Sequence, residues 1–173
     1  MSVLVYTESE SGKFKKTAFE VASYAKAVAD QMGTTVTAIA INAEDTSELG
    51  NYGVDKVLLV SSGDLDKFNA NAFANTIVQA AKLEDAKVVV VSSSADSKYL
   101  APIVAIGLEA GYASNVVEAP SATDPFTVRR TAFTNKAFNI TTIDTDIKIV
   151  GVSPNSFGLV ECSATASSED FSP

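Results

Sequence analysis

The sequence predicts an α/β domain: a doubly wound, mainly parallel sheet of the Rossmann type, similar to the adenine-nucleotide hydrolases. Helices cover both faces, and an antiparallel extension follows at the C-terminal end. Three observations carry this prediction. A continuous apolar run at 3–6, a Val-, Thr- and Ile-rich run at 35–41, and runs at 56–60 and 87–91 that are apolar behind a lysine read as strands. Longer stretches with apolar residues at three- and four-residue intervals separate most of them, as crossover helices do. After Gly111 those intervals stop, and short runs between turn residues take over.

The elements follow in order. A strand at 3–6 leads into a helix at 16–32, where Phe19, Ala22, Tyr24, Ala25, Val28, Ala29 and Met32 share one face. Gly33 stands where that helix needs a left-handed residue to end. A Val-, Thr- and Ile-rich strand at 35–41 and a short helical turn near 47–52 lead through Gly53 to the strand at 56–60. An amphipathic helix at 69–83 buries Phe73, Ile77, Val78 and Ala81. Four valines at 88–91 form a central strand. A helix is expected at 100–110, with Pro102 in its first turn and Gly111 ending it. Strands at 115–118, 127–131, 138–142 and 147–152 make up the antiparallel portion, with a hairpin connection at 134–136. From Cys162 the composition turns to Ser, Ala, Thr and acid, so 162–173 reads as a flexible tail or linker beyond a domain at 1–161.

Composition narrows the chemistry. At 173 residues, 46% apolar and 20% charged, the chain is ordinary globular material of roughly one domain. Its net charge of −8 argues against nucleic acid or an anionic membrane as partner. It has no histidine, which removes histidine-based triads, a histidine general base and His-ligated zinc. Cys162 is the single cysteine, so no disulfide forms within the chain, and no basic neighbour activates it as a nucleophile. No apolar run reaches the ~20 residues of a membrane span. The opening residues read as a strand rather than a leader, so the expected location is cytoplasmic.

Open parallel sheets bind ligands at the carboxyl ends of their strands. The loops there carry neither a dinucleotide fingerprint nor a phosphate-binding P-loop. The most site-like stretch is 92–98. Ser92, Ser93, Ser94 and Lys98 would face an anion at a helix N-terminus, or the serines simply cap the helix. The run Glu-Ser-Glu-Ser-Gly at 8–12 reads as an exposed acidic loop. Asp64 with Asp66, and Asp144 with Asp146, read as turn-formers rather than metal ligands. Arg129 and Arg130 lie on one strand and must point to opposite faces, so one of them needs a carboxylate, a phosphate or an aromatic ring. No catalytic constellation emerges, and no metal ligands are expected.

The stretches 3–6 with 12–15, 52–57, 92–111, 129–137 and 152–157 together resemble the N-terminal domain of the electron transfer flavoprotein α subunit. Val-Leu-Val-Tyr at 3–6 with Gly-Lys-Phe-Lys at 12–15 is similar to that family's opening strand and G-K-x-K loop. Tyr-Gly-Val-Asp-Lys-Val at 52–57 resembles its Y-G-A-D-K-V segment. The stretch 92–98, followed by Leu-Ala-Pro at 100–102 and Leu-Glu-Ala-Gly at 108–111, resembles a small-residue loop before L-A-P-R and a glycine-rich helix end. Arg-Arg-Thr-Ala-Phe at 129–133 with Lys136 and Ala137 resembles the R-P-I-Y-x-G-[NK]-A hairpin, and Val-Ser-Pro-Asn-Ser-Phe at 152–157 resembles V-R-P-N-A-F. The matches run in family order from residue 3 to about 161. Thr131, Ser153 and Ile103 depart from the family's proline and two arginines.

The resemblance implies a scaffold and partner-binding domain, not an enzyme. It implies a heterodimer with a β subunit that holds AMP, and FAD carrying electrons from acyl-CoA-type dehydrogenases toward the respiratory chain. Family members continue into a C-terminal domain with most FAD contacts, so this chain is expected to be a fragment or short form that binds no cofactor alone. Arg129 and Arg130 are the expected interface residues. The alternative is a free-standing adenine-nucleotide-binding protein of the universal-stress type. That class wants a G-x-x-G pattern after the fourth strand, where 92–98 has no glycine.

Overall fold

A computed structural model describes residues 2–173. In chain order it contains β1 (Ser2–Thr7), β2 (Ser9–Glu10), β3 (Lys13–Phe14), α1 (Lys16–Met32), β4 (Thr35–Ile41), β5 (Lys56–Val60), α2 (Ala70–Leu83) and β6 (Ala86–Ser92). Then follow α3 (Ala95–Leu108), β7 (Gly111–Val116), β8 (Ala122–Thr123), β9 (Phe126–Ala132), β10 (Ala137–Ile143), β11 (Lys148–Val152) and β12 (Ser167–Asp170). Ten strands form one sheet in the order β10-β9-β7-β11-β6-β1-β4-β5-β12, with β8 beside β9. The neighbours in the spatial run β7-β11-β6-β1-β4-β5-β12 are parallel, and β9 pairs antiparallel with β7, β8 and β10. The predicted α/β class with a doubly wound, mainly parallel sheet is the observed one.

Alternation within each strand sends successive side chains to opposite faces, and each face has its own core. Val3, Val5, Val88 and Val90 pack against Tyr24, Ala25 and Val28 of α1. Leu4, Tyr6, Val89 and Val91 pack against Ile77 of α2 and Leu100 and Val104 of α3. Helix α1 ends as predicted, with Gly33 in the left-handed conformation (φ 63°). The chain winds outward from β1 through β4 to β5, then returns to place β6 on the other side of β1. The switch point of the fold therefore lies between β1 and β6.

Three expectations are corrected. Helix α3 begins at Ala95, not at 100, so Pro102 lies in its interior and Glu109 (φ 52°) makes the left-handed cap in place of Gly111. Ser94 is the reason: its hydroxyl accepts the Ser97 amide, an N-cap worth about 1 kcal/mol. The run at 147–152 does not belong to the antiparallel portion. As β11 it inserts, parallel, between β6 and β7, because Ile149 and Val150 are apolar on both faces.

The segment 162–173 is no free tail. The Cys162 amide donates to Asn51 O at 2.7 Å, and β12 adds a parallel edge strand to β5. Lys56 Nζ bridges Glu84 (2.8 Å) and Glu169 (2.7 Å) across that edge. Composition marked the segment as polar, and an exposed edge strand is polar too.

Candidate functional site

The crevice at the switch point is where this architecture offers a helix N-terminus to a ligand. Here it is filled from within. Glu8, directly after β1, is 3% exposed. Its Oε1 accepts hydrogen bonds from the hydroxyls of Ser94 (2.5 Å) and Ser97 (2.7 Å), and its Oε2 lies 3.7 Å from Lys15 Nζ. A carboxylate at the first turn of α3 occupies the place an incoming anion would need. The exposed acidic loop expected at 8–12 is thus corrected at its first residue. Glu8 is buried and fully engaged, while Ser9, Glu10 and the tight turn to β3 form a small ribbon at the surface.

The serine stretch serves the fold. Ser94 caps α3, and Ser93 Oγ accepts the Asn115 amide at 3.1 Å. Ser92 Oγ is buried without a hydrogen-bond partner among the described residues. Lys98 is exposed on the outer side of α3. The structure brings Ser94 and Ser97 together with Glu8, a residue the sequence reading had placed in solvent. The signal was present: a glutamate directly after a buried strand, facing two serines three apart at a helix start.

Beside the crevice, on the side of β4 and β5, lies an open cleft of about 540 Å³. Glu8, Glu10, Glu44, Asp66 and Asp96 line it, against the single ammonium of Lys15. Tyr6, Phe68 and Phe73 form its aromatic wall, with Tyr6 and Phe68 each edge-on to Phe73. Burial pushes the Tyr6 phenol far above its ordinary range, and the charges of Glu8 and Asp96 push it further. The phosphates of FAD or AMP do not fit such a cleft: five carboxylates repel them, no glycine-rich turn cradles them, and Glu8 already holds the helix terminus.

A second region is the hairpin of β9 and β10. Arg129 donates to Glu118 (2.9 Å) and stacks over Phe138, its guanidinium carbon 3.9 Å from the ring centre. Arg130 lies on the opposite face, in line with the buried Phe126 and Val128. Its Nε is buried with no hydrogen-bond partner among the described residues. Phe133, Phe138 and Ile140 are 82%, 58% and 64% exposed.

Elsewhere, Glu20 on α1 is buried and accepts the backbone amides of Asn155 (2.8 Å), Phe157 (2.9 Å) and Gly158 (3.0 Å). It pins the turn after β11. Cys162 Sγ sits 3.6 Å from Gly50 O. Among the described residues no group of acidic, histidine or cysteine side chains is placed to hold a metal, and no helix is long and apolar enough to cross a membrane.

The sheet is Rossmann-type, its switch point is closed by its own carboxylate, and its edge hairpin carries a buried Arg130 Nε without a hydrogen-bond partner among the described residues. The family model for the electron transfer flavoprotein domain matches residues 3–170, and the chain belongs to that family. Its members are electron carriers rather than classical enzymes.

Among curated relatives, Protein FixB of Clostridium saccharobutylicum is 28% identical over 111 residues, covering 63% of this chain and 33% of that protein. The acryloyl-CoA reductase electron transfer subunit beta of Anaerotignum propionicum is 28% identical over 112 residues, covering 63% and 30%. The electron transfer flavoprotein subunit alpha of Thermoanaerobacterium thermosaccharolyticum is 29% identical over 112 residues, covering 63% and 34%. The matched segment thus spans about a third of each relative.

Proposed function

We propose that this chain is the N-terminal scaffold and partner-binding domain of an α-type electron transfer flavoprotein subunit. In that reading it pairs with a β-type subunit in an FAD-containing, cytoplasmic heterodimer fed by acyl-CoA-type dehydrogenases. The flavin is held by regions of the family to which this chain does not correspond, and AMP by the partner. Family membership and the ordered motifs at 52–57, 129–137 and 152–157 support the reading. The α assignment rests on those motifs, since relatives carrying both alpha and beta names match at similar identity.

The observation that carries the partner-binding part is the hairpin. Arg130 has a buried guanidinium nitrogen without an acceptor among the described residues, and leaving such a group unmade costs about 1–3 kcal/mol. Phe138 and Ile140 expose apolar surface on the other face of the hairpin, beside Arg129, Phe133 is exposed at its turn, and β10 is the last strand of its edge. A partner chain gripping the hairpin would satisfy all three. Tyr99 and Ile106 on α3 are also exposed, but among the described residues no buried unmet polar group accompanies them. The acidic cleft argues against the universal-stress alternative, which must hold a triphosphate.

Native mass spectrometry of the complex purified from its source tests the reading. The expected species is a heterodimer carrying FAD, and Arg130→Ala weakens its association at least tenfold. A lone chain carrying ATP, or association unchanged by Arg130→Ala, contradicts it.

A further inference from the structure

The acidic cleft is unexplained by a scaffold role. Glu8 and Glu10 share Lys15, and Asp66 accepts a hydrogen bond from Asn42 (3.0 Å). Glu44 and Asp96 have no side-chain hydrogen bond or ion pair among the described residues, although both line the cavity. Tyr6 supplies an independent observation. It is 4% exposed and lines the same cavity, and its hydroxyl makes no hydrogen bond among the described residues. A nearly buried hydroxyl facing a cavity is a group waiting for a partner.

The chemistry of that partner follows from the lining. Two unpaired carboxylates and a free hydroxyl ask for a cation with several donors. Phe68 and Phe73 offer a π surface beside them, their ring centres 5.3 Å apart. A planar guanidinium satisfies both demands, donating to carboxylates while stacking on a ring; a compact ammonium satisfies only the first. A divalent metal is disfavoured because the described carboxylates are not grouped for coordination. We propose that the cleft beside β1 is a receptor for an arginine side chain presented by another polypeptide, clasped by Glu44, Asp96 and the Tyr6 hydroxyl against Phe68. This site is separate from the hairpin and does not depend on the α-subunit reading.

The test is an amide NMR titration of the chain with a tri-arginine peptide, alongside its tri-citrulline isostere, a tri-lysine peptide and ADP. Shifts are expected at Tyr6, Asn42, Glu44, Asp66, Phe68 and Asp96. Binding of the citrulline peptide and of ADP should be at least tenfold weaker, and that of the lysine peptide several-fold weaker. Glu44→Gln with Asp96→Asn should reduce arginine binding at least tenfold, and Phe68→Ala several-fold; these positions are not core, so the melting temperature verifies the fold. Phe133→Ser on the hairpin should leave arginine binding unchanged. Equal binding of the citrulline peptide, shifts scattered over the acidic surface, an unaffected Glu44→Gln/Asp96→Asn variant, or tighter binding of ADP would each overturn the proposal.

Discussion

The switch-point crevice and the β9–β10 hairpin lie in one sheet but treat their polar groups in opposite ways. At the crevice the buried carboxylate is met internally: Glu8 takes two hydroxyls and a lysine, and Ser94 also caps α3. At the hairpin a guanidinium nitrogen is buried without an acceptor among the described residues, and three large apolar side chains face water. The comparison teaches that the customary ligand position of a fold need not be its working surface. Where the chain satisfies itself, nothing is left to recognise; where it does not, a partner has something to complete.

The comparison can be broken at either end. The largest effect is expected from another internally closed site. Glu20→Ala strips three backbone amides of their acceptor and should destabilise the chain by about 3–4 kcal/mol, read from the urea midpoint. Smaller loss would mean that water replaces the carboxylate.

Alkaline pH comes next. Burial raises the Tyr6 and Tyr24 phenols in the folded chain. A raised folded value means that stability is intact below the unfolded phenol pKa of about 10 and is lost as pH climbs above it. At pH 11 the loss should reach about 1.4 kcal/mol for each phenol. Tyr6→Phe should remove about half of that slope in denaturation curves taken from pH 8 to 11; an unchanged slope would show that Tyr6 ionises freely in its cleft.

Glu8→Ala should cost about 2 kcal/mol, since Ser94, Ser97 and Lys15 lose a buried partner. A neutral or stabilising outcome in thermal melts would show that the crevice is not held by this carboxylate. The smallest effect belongs to the hairpin. Phe133→Ser with Phe138→Ser should change the stability of the isolated chain by less than about 0.5 kcal/mol, because both rings already face solvent.

Much of the fold was legible in the sequence because its signals are local. Four apolar runs, the three- and four-residue spacing of α1 and α2, and Gly33 each specify their element without reference to the rest of the chain. The failures share one cause, dependence on distant partners. Nothing local to 147–152 reveals that β11 slides between β6 and β7, and nothing in 162–173 reveals that β12 pairs with β5. The start of α3 was misplaced because Pro102 outweighed the Ser94 cap, although proline in a helix interior is tolerated where packing holds the helix. The candidate site was half legible. The serines at 92–94 and the two arginines lie where the reading put them, at a helix start and on a strand with opposite faces. Glu8 was missed because an acidic loop reads as solvated until the hydroxyls from 86 and 89 residues away are seen to meet it.

The central claim is that the partner subunit is recognised at the hairpin and not at the closed switch point. Its most direct measurement is the affinity of the chain for its copurifying partner subunit, compared between Phe133→Ser/Phe138→Ser and Ser94→Ala. The account predicts at least a tenfold loss for the hairpin variant and binding within twofold of wild type for Ser94→Ala. The reverse pattern, with the hairpin variant binding normally and Ser94→Ala failing, would contradict it.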